Sequence, residues 1–205
     1  MTRTAWDEFG GVGVDRAETS LDRFAPAWQF HEFHARTVQA PPERVYDAMA
    51  SLRADEILGF DALTWIRRGG RPLPSTILDP GLDAPLIDIA VRGGFVRLAD
   101  DPPRELVIGT VVMAPDGPRP PVTAAIFQAP PPGYAVAVMN FHVRPDGSGG
   151  SLVTTATRVY ASGASARRRF AVYWRLIYPG SAFIRRMWLR GIDRRATAAR
   201  PDPTS

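Results

Sequence analysis

The sequence predicts an α+β domain in which an antiparallel sheet packs against one long C-terminal helix. Segments with strand patterning follow one another without helices between them, which indicates an antiparallel sheet rather than alternating βαβ units. A long final segment instead repeats its apolar residues at helical spacing. The chain has 205 residues, 45% of them hydrophobic, which is enough for one sizeable core. We expect a domain over residues 27–198, preceded by an N-terminal extension over 1–26 and followed by a tail over 199–205.

The first strand is predicted over residues 28–40, where aromatic and β-branched residues alternate with polar ones. A helix begins at Pro41-Pro42-Glu43, because a proline in the first helical turn has no N–H to leave unpaired and the acid faces the positive end of the helix dipole. A second short helix is predicted over 54–68, and another over 17–24 in the extension.

The rest of the sheet is predicted from short apolar segments separated by Pro, Gly and Asp turns. These strands cover residues 94–99, 105–113, 124–128, 135–143 and 152–160. Asp146-Gly147 is a hairpin turn between the last two. Residues 86–91 are apolar but too short to be assigned to a helix or a strand.

The final helix is predicted over residues 165–198, with an apolar stripe on one side and arginines over most of the rest. The stripe consists of Phe170, Tyr173, Trp174, Ile177, Ile184, Met187, Trp188 and Ile192. Pro179-Gly180 predicts a kink or a break. This is the only predicted element large enough to cover the apolar face of the sheet.

Composition excludes several kinds of chemistry. All 25 basic residues are arginine, so a lysine Schiff base and a P-loop lysine are both excluded. The absence of cysteine excludes disulfides, thiolate nucleophiles and zinc–thiolate sites. A GC-rich genome accounts for the arginines, so we expect no nucleic-acid partner. No apolar run approaches the ~20 residues of a membrane span, and the N-terminus does not resemble a signal peptide. A cytoplasmic protein without stable membrane insertion is expected.

Three segments carry a family resemblance. They are residues 38–46 at the first strand–helix junction, residues 139–143 with 155–159 across the hairpin, and residues 168–177 with Pro179-Gly180-Ser181. Over about residues 28–198 the chain resembles the START/Bet v 1-like (SRPBCC) superfamily, and within it a bacterial subgroup of polyketide cyclase/dehydrase-like proteins. The resemblance implies a helix-grip fold: a curved antiparallel sheet wrapped around a long C-terminal helix, with two short helices after the first strand and an apolar cavity inside.

The resemblance also exposes one departure. Relatives often have an acid where Ala156 stands, two residues before Arg158. Because strand residues two apart share a face, we expect a charge pair to be missing from the outer face of the sheet.

The first strand carries the candidate catalytic residues. Alternation places Glu32, His34 and Arg36 on the face that Val38 turns to the core, while His31 lies on the opposite face. A metal site with two histidines is therefore not expected, and no cofactor is implied. One interpretation is a Glu–Arg pair beside a packed histidine. The other is a polar end to an apolar pocket, with His34 and Glu32 as general acid or base and Arg36 binding the ligand.

The remaining candidate ligand-binding residues lie on the hairpin and the final helix. Met139, Phe141, Thr155 and Thr157 are predicted to point inward from the hairpin. Tyr173, Trp174 and Ile177 either belong to the core or line the pocket from the helix, and the Tyr173 phenol is a third candidate for proton transfer.

Three functions remain open. The first is binding of a small hydrophobic molecule, such as a lipid, a polyketide or an aromatic metabolite, between the sheet and the final helix. The second is a polyketide cyclase or dehydratase that uses the same cavity. The third uses the final helix, which is basic and amphipathic, to bind a membrane surface or a partner protein. The pattern does not indicate an oligomeric state.

Overall fold

The computed structural model describes residues 19–53, 56, 84–117 and 121–198. Within them the elements, in chain order, are α1 (Ser20–Phe24), β1 (Phe30–Val38), α2 (Pro42–Ser51), α3 (Leu86–Arg92), β2 (Phe95–Asp101), β3 (Glu105–Met113), α4 (Ala124–Gln128), β4 (Ala135–Pro145), β5 (Ser151–Ala161) and α5 (Ala164–Thr197).

In the described part of the chain, five strands form one antiparallel sheet in the order β1-β5-β4-β3-β2. The first strand of the chain is therefore an edge strand beside the last one, and α5 leaves β5 to pack back across the sheet. Bulges at Arg97/Ala99 and Val111/Met113 interrupt the ladders on both sides of β3, and bulges increase the local twist of a sheet. This confirms the predicted α+β fold class and helix-grip arrangement.

Two apolar segments turn out to be helical. Residues 124–128 were predicted as a strand, but they form α4. A five-residue apolar run does not distinguish a strand from a short buried helix, and its two alanines favour the helix. Ile126 and Phe127 are both buried, in the cluster on the outer face of the sheet. Residues 86–91, which were not assigned, lie in α3. The helix predicted over 54–68 lies outside the described residues except for residue 56.

α5 runs without interruption from Ala164 to Thr197, through Pro179. Of the predicted kink or break, the break is therefore absent and the kink stays a prediction. Both ends of the helix are anchored by buried residues, Ala166 and Phe170 near the start and Trp188 and Ile192 near the end. Packing at both ends holds the helix across a residue that would otherwise favour a break. None of the helices in the described ranges has both the length and the apolar character needed to cross a membrane.

The inner face of the sheet, which faces α5, carries two separate apolar clusters. The larger one joins α2, β4 and the C-terminal third of α5, with Phe141, Trp188 and Ile192 among its buried residues. The smaller one joins the opposite ends of β4 and β5 to the start of α5 through Val159 and Phe170. The inner core is therefore not one continuous apolar layer.

The outer face is partly covered by α1 and α4, whose residues Leu21, Phe24 and Phe127 form a third cluster with the sheet. Arg158 lies on this face, where a charge pair was expected to be missing, but an acid of another element does pair with it. Its guanidinium binds Asp22 of α1 at 2.7 Å and stacks over the Trp28 ring at 4.0 Å. The ion pair of Arg158 is therefore made with α1 rather than within β5.

Candidate functional site

The strand register places the polar residues of β1 opposite those of β5. Glu32 pairs with Thr157, and His34 pairs with Thr155. Directly paired residues lie on the same face of an antiparallel sheet, so these four side chains lie together on the inner face, as predicted. Along β5, Thr157 is followed two residues later by Val159, which belongs to the smaller cluster. Across the sheet, Thr157 lies opposite Met139, which belongs to the larger cluster. The polar group therefore lies at the boundary between the two inner clusters.

Glu32 is the centre of this group. It is only 2% exposed, and its carboxylate accepts two hydrogen bonds. Oε1 lies 2.8 Å from Nε2 of His34, and Oε2 lies 2.8 Å from the Ser181 hydroxyl of α5, which donates to it. A buried carboxylate without partners would be costly, so these two contacts satisfy a charge that the fold has enclosed. We call Glu32, His34 and Ser181 the polar centre.

The contact with Glu32 favours one tautomer of the His34 ring. A carboxylate only accepts hydrogen bonds, so Nε2 of His34 carries the proton in this contact. In a neutral ring Nδ1 is then an acceptor, and within the described residues it has no hydrogen-bond partner. This is the arrangement of a histidine oriented by a carboxylate, in which the second nitrogen is able to accept a proton.

Arg36 does not join the polar centre. Its Nε donates to Oδ2 of Asp193 at 2.7 Å, which ties β1 to the last part of α5. The alternative in which Glu32 pairs with Arg36 is therefore wrong, because Arg36 binds Asp193 and the Glu32 carboxylate binds His34 and Ser181. The side chain of Arg36 is 40% exposed, so its ion pair with Asp193 lies at the rim and is not a buried charge pair.

Apolar side chains of β4 complete the sheet side of the site. Met139 lies opposite Thr157, and Phe141 lies opposite Thr155, and both are almost fully buried as predicted. The Oγ1 atom of Thr155 is buried and has no hydrogen-bond partner among the described residues. The indole Nε1 of Trp188 is likewise buried without a hydrogen-bond partner among the described residues, and its ring centroid lies 4.8 Å from that of Phe141.

The helix side of the site is less tightly packed. Trp174 and Ile177 are half-buried, and the Trp174 ring contacts Phe30 of β1 with centroids 5.9 Å apart. Tyr173 is 37% exposed and forms no hydrogen bond with Glu32 or His34, so it lies at the rim of the helix face. The structure therefore brings Trp174 and Ile177 toward the sheet and leaves Tyr173 beside them.

His31 lies outside the site. It pairs with Arg158 on the outer face, opposite to His34, as the alternation predicts. Burial lowers the pKa of His31, and the nearby Arg158 guanidinium lowers it further. The two histidines therefore do not share a ligand.

Three side chains of α5 that the structure places at or beside the candidate site were not among the predicted site residues: Ser181, Trp188 and Asp193. In the sequence, Ser181 was noted only as part of the Pro179-Gly180-Ser181 segment, whereas in the structure its hydroxyl donates to the buried Glu32 carboxylate. A usable signal was its spacing, because it continues the alternation of three and four residues that runs from Phe170 through Trp174 and Ile177. A single polar residue on such a stripe indicates a buried hydrogen bond.

Comparison with known proteins adds little to this geometry. No family model matches the chain, and no curated protein matches it. Among solved structures, protein MLL2253 of Mesorhizobium loti aligns at a TM-score of 0.39 and 14% identity, over 83% of this chain and 100% of that one. The Zhui aromatase/cyclase of Streptomyces sp. R1128 aligns at 0.32 and 13%, over 82% and 96%. Ara h 8.0201 aligns at 0.25 and 10%, over 82% and 97%. The helix-grip assignment rests on this chain's own sheet and helix.

Proposed function

We propose that the region between the inner face of the sheet and α5 binds a small, mostly apolar molecule that carries at least one polar group. The observation behind this proposal is the position of the polar centre. A buried carboxylate, a histidine and a serine hydroxyl lie between two apolar clusters, where a purely structural core would place apolar residues.

The energetics support a role beyond packing. Replacing buried charged groups by apolar residues of similar size is often neutral or stabilising, so a buried polar group is weak evidence for stability. The hydroxyl of Thr155 and the indole N–H of Trp188 are two further buried groups that the described residues leave without a partner. Binding sites for small molecules have this composition, with mostly apolar walls and a few placed polar groups.

A matched pair of probes tests the proposal. Native mass spectrometry of the purified protein comes first, and a co-purified apolar molecule is expected. Titration with 2-naphthol and with naphthalene then separates the polar from the apolar contribution, read from the fluorescence of the protein's tryptophans. We expect 2-naphthol to bind about tenfold more tightly, as one hydrogen bond of ~1.4 kcal/mol implies.

The variants sharpen this comparison. Glu32→Gln and His34→Gln should each reduce the preference for 2-naphthol, whereas His142→Gln on the outer face should leave it unchanged. The absence of any bound species together with equal, very weak binding of both probes would rule the proposal out.

A second candidate function is proton transfer to and from a carbonyl compound, as in a cyclase or dehydratase. It is favoured by the geometry of His34, whose Nε2 donates to Glu32 and whose Nδ1 is free to act as a general base. An enzyme of this kind needs few catalytic groups, because positioning of the substrate lowers much of the barrier.

Deuterium exchange at the central carbon of a β-diketone such as 1-phenyl-1,3-butanedione measures this activity directly. The protein should accelerate the exchange in D₂O, and His34→Gln should abolish the acceleration while ligand binding persists. Tyr173 is a proton donor in this scheme only if Tyr173→Phe also lowers the rate. Exchange no faster than in buffer would leave binding as the function.

A further inference from the structure

α5 carries a second apolar stripe on the side turned away from the sheet. It consists of Val172, Leu176, Pro179 and Phe183, which we call the outer stripe. At 3.6 residues per turn these four positions fall within an arc of about 60°. Val172 is 72% exposed, Leu176 81% and Phe183 46%. These values are far from those of the inner stripe, where Phe170 and Ile192 are almost fully buried.

Packing among the described residues does not account for the outer stripe. The sheet is covered by the inner stripe, and the outer residues belong to none of the apolar clusters formed by the described residues. Isolated exposed apolar residues are ordinary, but several aligned on one helix face mark an interaction surface.

The side chains beside the outer stripe are mostly positively charged. α5 contains nine arginines and a single acid, Asp193, which Arg36 already binds. Exposed Arg168, Arg169, Arg175 and Arg186 flank the stripe, and none of them forms an ion pair with the described residues. The surface is therefore an apolar line bordered by unneutralised positive charge.

We infer that the outer face of α5 docks on an anionic phospholipid surface. A second copy of the chain is disfavoured, because two such arginine-rich faces would repel each other. The stripe is ~16 Å long and one side chain wide. It offers far less than the ~800 Å² per partner of a stable protein interface. Shallow insertion of a few apolar side chains beneath anionic headgroups needs only a narrow stripe with arginines beside it.

The inference does not depend on the proposed ligand site, and vesicles test it. The intact chain should co-sediment with vesicles of equal parts phosphatidylcholine and phosphatidylserine, but not with pure phosphatidylcholine, and high salt should release it. The double variant Leu176→Gln/Phe183→Gln should lower the partition at least tenfold. Val122→Gln is the matched control, because Val122 is 38% exposed on a segment away from α5. Thermal melting confirms that each variant is folded.

A fluorescent label shows whether the stripe itself enters the lipid. The chain has no cysteine, so Leu176→Cys gives a unique site for an environment-sensitive dye, with Val122→Cys as the control. Anionic vesicles should shift the emission to the blue at position 176 only. Equal binding by the double variant, no binding by the unmodified chain, or a dye at position 176 that is already shielded without vesicles would each overturn the inference. Self-association that the double variant abolishes, without vesicle binding, would assign the stripe to a second copy instead.

Discussion

Substitution of Ser181 by alanine tests the polar centre directly. The Ser181 hydroxyl donates to Oε2 of Glu32 at 2.8 Å and is the link between α5 and the buried carboxylate. A hydrogen bond to a charged group contributes about 1.5–3 kcal/mol. Alanine is the better helix former and returns up to ~0.5 kcal/mol. We therefore expect Ser181→Ala to lower the free energy of unfolding by about 1–2.5 kcal/mol. For a chain of this size that corresponds to a melting temperature lower by roughly 2–10 °C.

The assay is urea unfolding monitored by tryptophan fluorescence. The slope of the unfolding free energy against urea concentration should be the same for the variant and the unmodified chain. Ser165→Ala is the matched control, since it makes the same substitution in the same helix at an exposed serine. It should change the free energy of unfolding by less than ~0.5 kcal/mol. A double-mutant cycle with Glu32→Gln should be non-additive, because one variant removes the donor of this bond and the other removes the charge of its acceptor. Equal effects of the two serine variants, or an additive cycle, would refute the bond.

Three further predictions concern the core, the helix and the pH dependence. Phe141→Ala should lower the free energy of unfolding by about 3–5 kcal/mol in the same urea assay, because Phe141 is fully buried in the larger inner cluster. Pro179→Ala should raise the melting temperature, since Pro179 is exposed and proline in a helix interior is up to ~3 kcal/mol less favourable than alanine. Burial lowers the pKa of His142, and Arg144 lowers it further, so the unfolded chain binds a proton more readily. Stability should therefore fall as the pH drops below the ordinary histidine pKa of ~6.5. His142→Gln should reduce that slope in urea unfolding over a pH series.

Local patterns predicted most of the sheet. β3 has the same limits as its predicted segment, because the proline-containing turns on either side end the strand. Residues 124–128 were assigned wrongly, because a short apolar run is compatible with either a strand or a helix. What decides between them is the cover that α1 provides for Ile126 and Phe127, which is a contact between distant parts of the chain. Such contacts are invisible to patterns a few residues long.

The same limit divides the candidate site into a predicted half and a missed half. The period of two in β1 sufficed to place Glu32 and His34 on the inner face. Which residue of α5 meets them depends on the angle and offset at which the helix crosses the sheet, and no local pattern contains either. Ser181 is separated from Glu32 by 149 positions, and Asp193 from Arg36 by 157. The α5 residue of each pair could therefore be identified only from the structure.

The middle of α5 is less tightly packed against the sheet than its two ends. The inner stripe is fully buried only at its ends, and between Tyr173 and Ile184 its residues are half-buried or exposed. This middle segment contains Ser181 toward the sheet and Pro179 toward the outside, and proline leaves the carbonyl four residues earlier without its helical partner. A segment with few buried apolar contacts and a missing backbone hydrogen bond opens more readily than the anchored ends. The polar centre thus lies beneath the part of the helix that is least stabilised, and we expect a ligand of the proposed kind to enter there.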